Sequence, residues 1–164
     1  MIIKGKAIKY GDDVNTDVII PGRYLIISNP NDLAVHTMED LDDDFFNKFK
    51  RGDIIVAGRN FGCGSSREQA AICLKYAGVG AIIAKYFARI FYRNAINQGI
   101  PIVQSEKIVN SICSFDELEV DFNLSRIVNK TKKKDYNFKP LPDFIKEIIS
   151  HGGLVGNLKK KMNK

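Results

Sequence analysis

Three short apolar runs, DIIVAG (53–58), AIIAKY (81–86) and IPIV (100–103), constrain this 164-residue chain more than any other feature. Each has the length of a strand, and each is almost free of the polar alternation that a half-exposed strand would show, as expected of strands covered on both faces. Between them lie segments of helical period that stop at glycine: about Ser66 to Tyr76 before Gly78, and residues 87–98 before Gly99. Strands alternating with helices predict an α/β sheet that is at least partly parallel through the middle of the chain. The outer parts differ. IIKGKAIKY alternates apolar and polar residues and reads as a strand ending at the turn Gly11-Asp12-Asp13. DELEVDF, SRIVNK and DYNFKP read as pieces of β-ribbon, and residues 140–161 as one or two helices broken at Gly152-Gly153 with Pro142 near an N-terminus. Between them, residues 15–53 carry Pro21, Gly22, Asn29 and Pro30 and only short helical patterns, at Asn31–His36 and Asp43–Lys50. That predicts a long, weakly structured excursion, of the kind that carries function in a compact domain. With no repeat and no linker, a single domain over 1–158 and a basic flexible tail over 159–164 are expected.

Composition narrows the function classes. With 45% hydrophobic and 27% charged residues the chain can form a core and is not of the disordered type. No apolar stretch approaches the ~20 residues a bilayer requires, and MIIKGKAIKYGDD lacks the apolar region of a signal peptide, so a cytoplasmic protein with no membrane contact is expected. Cys63, Cys73 and Cys113 are odd in number and widely spaced, a pattern of neither a disulfide framework nor a metal site, so no cofactor is expected to be bound by this chain. The net charge of +6 comes from KTKKKDY (130–136) and LKKKMNK (158–164), offset by the acidic EDLDDDFF (39–46). The basic stretches lack interleaved aromatics or a recognition-helix pattern, which favours solvated lysines over a nucleic-acid surface.

The chemistry concentrates where the first central strand gives way to its helix, at FGCGSSREQA (61–70). Gly62 and Gly64 allow a sharp turn and leave backbone amides uncovered. The helix that follows presents unpaired N–H groups and the positive end of its dipole, an anion site. Arg67 adds a guanidinium suited to a carboxylate. Ser65 with Glu68, or Ser66 with Gln69, matches the S-x-x-E/Q capping box, so a ligand site and simple helix capping both remain open at this point. A phosphate cradle of the Walker type is weaker, because Ser65 stands where that pattern has lysine. A serine base would need positive charge and oriented amides around it, which the helix start and Arg67 supply. His36 and His151 read as structural or surface residues. Arg89 and Arg93, four apart in FARIFYRNAINQG, suit internal ion pairs or a partner interface better than a ligand, and the aromatics beside them suit core packing.

With GDDVNTDVIIPGRYL, GRNFGCGSSREQA and FARIFYRNAINQGIP in this order, the sequence resembles the small subunits of 3-isopropylmalate dehydratases, in the aconitase superfamily. The resemblance runs from about Ile2 to Leu158. It implies a swivelling β/β/α three-layer domain like the fourth domain of single-chain aconitases. It implies a large-subunit partner, in a heterodimer or heterotetramer, which carries a four-iron four-sulfur cluster acting as Lewis acid. It also implies a hydro-lyase of leucine biosynthesis, converting 2-isopropylmalate to 3-isopropylmalate through 2-isopropylmaleate and inactive without that partner. By the family motif Ser65 is the proton-abstracting alkoxide, and Gly64, Ser66 and Arg67 bind substrate carboxylate. The loop RYLIIS is implied to choose the substrate. Where homoaconitase-like members tend to have arginine after YL, this chain has Ile26 and then Ile27, which favours an alkylated malate (isopropyl-, dimethylmalate or citramalate) over a tricarboxylate. Arg23 is a further candidate for a carboxylate contact, and Asp17 for orienting substrate or a large-subunit group. A stand-alone anion-binding module is the alternative of a different class.

Overall fold

The computed structural model of the protein describes residues 1–163. The βαβαβ centre is present: β2 (Ile54–Ala57), β3 (Ala81–Ala84) and β4 (Ile102–Gln104) lie parallel, connected by α4 (Glu68–Ala77) and α5 (Arg89–Gln98), which stop at Gly78 and Gly99. The first strand, β1 (Ile2–Lys9), joins two kinds of sheet. Its second half, Ala7 to Lys9, runs parallel to Ile54 to Val56, and its first half, Ile2 to Lys6, runs antiparallel to β5 (Glu117–Asp121). Two further antiparallel pairings add β6 (Arg126–Asn129) and β7 (Lys134–Asn137), giving the order β4-β3-β2-β1-β5-β6-β7.

The period-two alternation of β2 and β3 divides their side chains between two cores. Ile55, Ala57, Ile82 and Ala84 face a core shared with Leu74 of α4 and Phe91 of α5. Ile54, Val56, Ala81 and Ile83 face a second core that contains Leu118, Val120, Ile127 and Phe138 from the antiparallel half. One sheet can supply both sides of that second core only by curling over itself. The result is a β/β/α arrangement of three layers, as expected.

The excursion is more ordered than its composition predicts. It folds as α1 (Thr16–Ile19), a 3-10 turn at Gly22–Tyr24, α2 (Pro30–Ala34) and α3 (Phe45–Lys48). Ile19, Ile20, Leu33, Met38 and Phe45 are fully buried in the helix-side core, and α2 packs on α4. One helix not expected from the sequence, α6 (Glu106–Ser111), starts at Ser105, whose hydroxyl accepts the Ile108 N–H. At the C-terminal end α7 (Asp143–Ser150) and α8 (Leu154–Met162) follow Pro142. The expected flexible tail over 159–164 is corrected as far as Met162: the lysines sit in the last turn of α8, where cations complement the helix dipole, and Lys161 pairs with Glu147 at 3.4 Å. Lys164 lies outside the described residues. No helix among the described residues is long and apolar enough to cross a membrane.

Asp53, buried at the entry to β2, accepts backbone N–H groups from Lys6 (2.8 Å) and Lys50 (2.9 Å), so one carboxylate ties β2 to the strand on which the sheet changes direction. Asp53→Ala leaves two donors without that acceptor and is expected to lower the unfolding free energy by about 2–4 kcal/mol. Urea unfolding checks it; a loss below about 0.5 kcal/mol, the usual range for a neutral surface change, would show the tie to be incidental.

Candidate active site

Three loops meet at the carboxyl ends of β1, β2 and β3, the edge where a parallel sheet leaves a crevice. Phe61 N–H donates to Tyr86 O (3.1 Å) and Ala88 N–H to Phe61 O (2.9 Å), which holds the loop after β2 against the loop after β3. On its other side Gly62 N–H donates to Val14 O (2.7 Å) and Thr16 N–H to Cys63 O (2.8 Å), which ties it to the segment after β1. Phe61 anchors the junction from below, with its ring edge-on to Phe91 (5.1 Å between centroids) and Phe87 (6.0 Å). At Gly62, with φ +78°, a Cβ would fall inside the Phe91 ring, so both the backbone shape and the close approach require glycine. Gly64, with φ +89°, turns the chain again before the serines.

The capping reading is overturned here. Helix α4 begins at Glu68, two residues later than the sequence predicts, with Arg67 as its N-cap and no side chain bonded to its first amides. Ser65 and Ser66 are exposed and cap nothing. Among the described residues the N–H groups of Gly64, Ser65 and Ser66 donate to no protein group. Helix α5, which starts at the end of the β3 loop, likewise has no side-chain cap at Ala88. Two uncapped helix starts and a row of free amides thus border one cleft of about 540 Å³, lined by Thr16, Gly62 to Arg67, Ala88 to Phe91, Arg93 and Asn94. The electrostatic character follows: positive backbone ends and three arginines favour an anion.

Short helix α1 delivers the remaining groups. Asn15 caps it by accepting the N–H groups of Asp17 (2.9 Å) and Val18 (3.0 Å), which fixes Thr16 and Asp17 in its first turn. Thr16, 2% exposed, donates its hydroxyl to Ser65 O (2.9 Å), and its Oγ1 lies 3.4 Å from Ser65 Oγ. Ser65 Oγ is also 3.4 Å from Asp17 Oδ1. The same carboxylate oxygen is 2.8 Å from Arg67 Nη2, while Arg67 Nη1 donates to Ile20 O (3.1 Å). The guanidinium is therefore oriented by two partners and keeps N–H donors for a third. Thr16 was not a candidate from the sequence; the signal for it was the Asn-Thr-Asp run, in which an N-cap asparagine places the next two residues in the first turn of a helix.

Other sequence candidates lie elsewhere. Arg23 is corrected: its guanidinium grips Asp40 with two bonds (2.6 and 3.0 Å) and Glu39 with a third (3.0 Å), so local acids claim it and it does not line the cleft. That network is well matched. The Glu39 carboxyl is drawn down to about 2, first by the Tyr24 hydroxyl and then by His36, whose ring stacks on Tyr24 at 3.6 Å. Ile26 is 88% exposed, whereas Ile27 packs against the helix-side core, so of the two only Ile26 is presented outward. His151 is bonded to Asn157 and Lys160 in the C-terminal helices. Arg89 and Arg93 form no ion pair among the described residues, which removes the internal-pair reading. Cys63 lines the cleft, but burial and then the Asp13 charge push its thiol up, which keeps it protonated. The three cysteines stand apart, in the cleft, inside α4 and on the surface, and no group of three His, Cys, Asp or Glu among the described residues could hold a metal ion. The described residues do not fit an iron–sulfur cluster.

Residues 28–107 match the aconitase C-terminal domain family. A 3-isopropylmalate dehydratase small subunit of Caldicellulosiruptor saccharolyticus is 57% identical over 164 residues, covering 100% of this chain and 95% of the relative. One of Clostridium acetobutylicum is 56% identical over 160 residues, covering 98% of each. A crystal structure described as 3-isopropylmalate dehydratase from Methanocaldococcus jannaschii superposes with a TM-score of 0.93 at 51% identity, covering 99% of this chain and 96% of that one.

Proposed function

The chain belongs to the 3-isopropylmalate dehydratase small subunits, and from that membership we propose that it supplies the proton acceptor and a carboxylate-binding wall to an active site completed by a large subunit. As such it is one part of a hydro-lyase. The substrate reading is 2-isopropylmalate, converted to 3-isopropylmalate through 2-isopropylmaleate. In the first half-reaction a carbon-bound proton passes to the Ser65 alkoxide, the electron pair it leaves forms the double bond, and the hydroxyl departs as water with a proton from an acid of the large subunit, which takes that proton back when water adds. In the second half-reaction water adds with the opposite regiochemistry and Ser65 returns a proton to carbon. The four-iron four-sulfur cluster is assigned to the large subunit, and this chain's residues act on the proton and the carboxylate.

One observation carries the reading: Ser65 Oγ lies just before an uncapped helix start, beside free amides, with Arg67 2.8 Å from the only carboxylate among the described residues that approaches the serine. An alkoxide at Ser65 is opposed by Asp17 at 3.4 Å, but that charge is matched by Arg67 at shorter range, so the amides of Gly64 to Ser66 tip the balance toward negative charge on the serine. Arg67, with its remaining donors, and Ser66 hold a substrate carboxylate, and Gly64 lets it approach the backbone. Thr16 and Asp17 are positioning residues: Thr16 fixes the backbone of Ser65, and Asp17 sets the plane of the Arg67 guanidinium. Ile26 faces outward after the turn Gly22–Tyr24 and does not line the Ser65 cleft, so it meets substrate only in the assembled enzyme, where an added carboxylate would find an apolar side chain.

Ser65→Ala in the assembled enzyme is expected to lower kcat by about 10²–10⁴-fold with subunit association intact. Turnover within a few-fold of wild type would take the proton-accepting role away from Ser65. Ile26→Arg is expected to shift the kcat/KM ratio toward homocitrate-type tricarboxylates and away from isopropylmalate by about tenfold or more, as one added charge pair permits. An unchanged ratio would remove the turn after Gly22 from substrate choice.

A further inference from the structure

Two cations on α5 stand where helix energetics disfavour them. Arg89 is the first residue of the helix, at the positive end of its dipole, with no acidic residue in the first turn. Arg93 follows at i+4 on the same face, a like-charge spacing that weakens a helix. Neither has a carboxylate partner among the described residues. Beside them Ile90 is 52% exposed and Tyr86 47%. Local cost without local gain points to a use outside the chain. The two arginines line both the 540 Å³ cleft that holds Ser65 and a second cleft of about 580 Å³ on the far side, which Tyr86, Gln104 and Leu141 help to line. They therefore crown a ridge between the two hollows. A substrate held at Arg67 occupies one hollow only, whereas Tyr86 lines the other. A protein surface that closes over Ser65 has to cross this wall.

We propose that the Tyr86–Arg89–Ile90–Arg93 ridge is the docking surface for the large subunit, received by a patch of carboxylates with an apolar centre. This rests on the small-subunit reading above. It adds to that reading the surface and the chemistry of its counterpart: the guanidiniums pair across the interface, and Ile90 and Tyr86 fill the space between.

The test is a titration of the cluster-containing large subunit with wild-type small subunit, Arg89→Ala, Arg93→Ala, the double reversal R89E/R93E, and Lys134→Glu on β7 as a remote charge control. Isothermal calorimetry at low and at high salt gives Kd, and kcat and KM are taken at saturating small subunit. R89E/R93E is expected to weaken association by about 100-fold or more, and each alanine variant by about tenfold, with a flatter salt dependence. Lys134→Glu leaves Kd unchanged. Association equal to wild type in all variants would overturn the ridge proposal alone. A raised KM with unchanged Kd would overturn it too, by making the arginines substrate ligands. Failure of the wild-type chain to associate at all would overturn the ridge together with the subunit reading.

Discussion

Two backbone hydrogen bonds, Gly62 N–H to Val14 O and Thr16 N–H to Cys63 O, bring together residues that the sequence keeps far apart. Each is worth only about 1 kcal/mol net, so their importance is geometric more than energetic. They set α1 against the start of α4, and every distance in the candidate site depends on that register: Thr16 to Ser65, Ser65 to Asp17, and Asp17 to Arg67. The burial of Phe61 between Phe87 and Phe91 supplies the energy that keeps the loop in place, and glycine at 62 is what allows the backbone to lie against the Phe91 ring.

The same junction determines the electrostatics. A serine hydroxyl beside a carboxylate would ordinarily hold its proton more tightly, since unit charges 4 Å apart interact by about 4 kcal/mol at a protein surface. Arg67 offsets that charge by binding the same oxygen of Asp17. What remains is the field of two uncapped helix starts and a run of free amides, all favouring an anion. An uncapped helix end has a cost, and two of them open on one cleft.

Much of this was legible in the chain. The central βαβαβ unit announced itself because strands covered on both faces have no polar side to interrupt them, and the junction at 61–70 stood out through its glycines and serines. Capping and ligand binding could not be separated there, because S-x-x-E and S-x-x-Q both begin a helix equally well on paper; the helix start at Glu68 removes the capping. Long-range pairings were invisible. Nothing local links Asp17 to Arg67, and nothing local warned that Asp40 and Glu39 would capture Arg23. The structure of the excursion was underestimated for a similar reason, since Ile19, Leu33 and Phe45 bury themselves against α4 without forming any long periodic pattern of their own. The lysines near the C-terminal end looked like a tail because their charge was read without the helix dipole that accommodates it.

The central claim is that this chain holds half of an active site: a serine made into a proton acceptor by its surroundings, and unable to act without a second polypeptide. Hydration of 2-isopropylmaleate, followed by loss of the alkene's ultraviolet absorbance, tests it most directly when run with this chain alone, the cluster-containing large subunit alone, and the two combined. The account predicts turnover in the mixture only. Turnover by this chain alone, or none by a mixture shown to be assembled with its cluster intact, would contradict it.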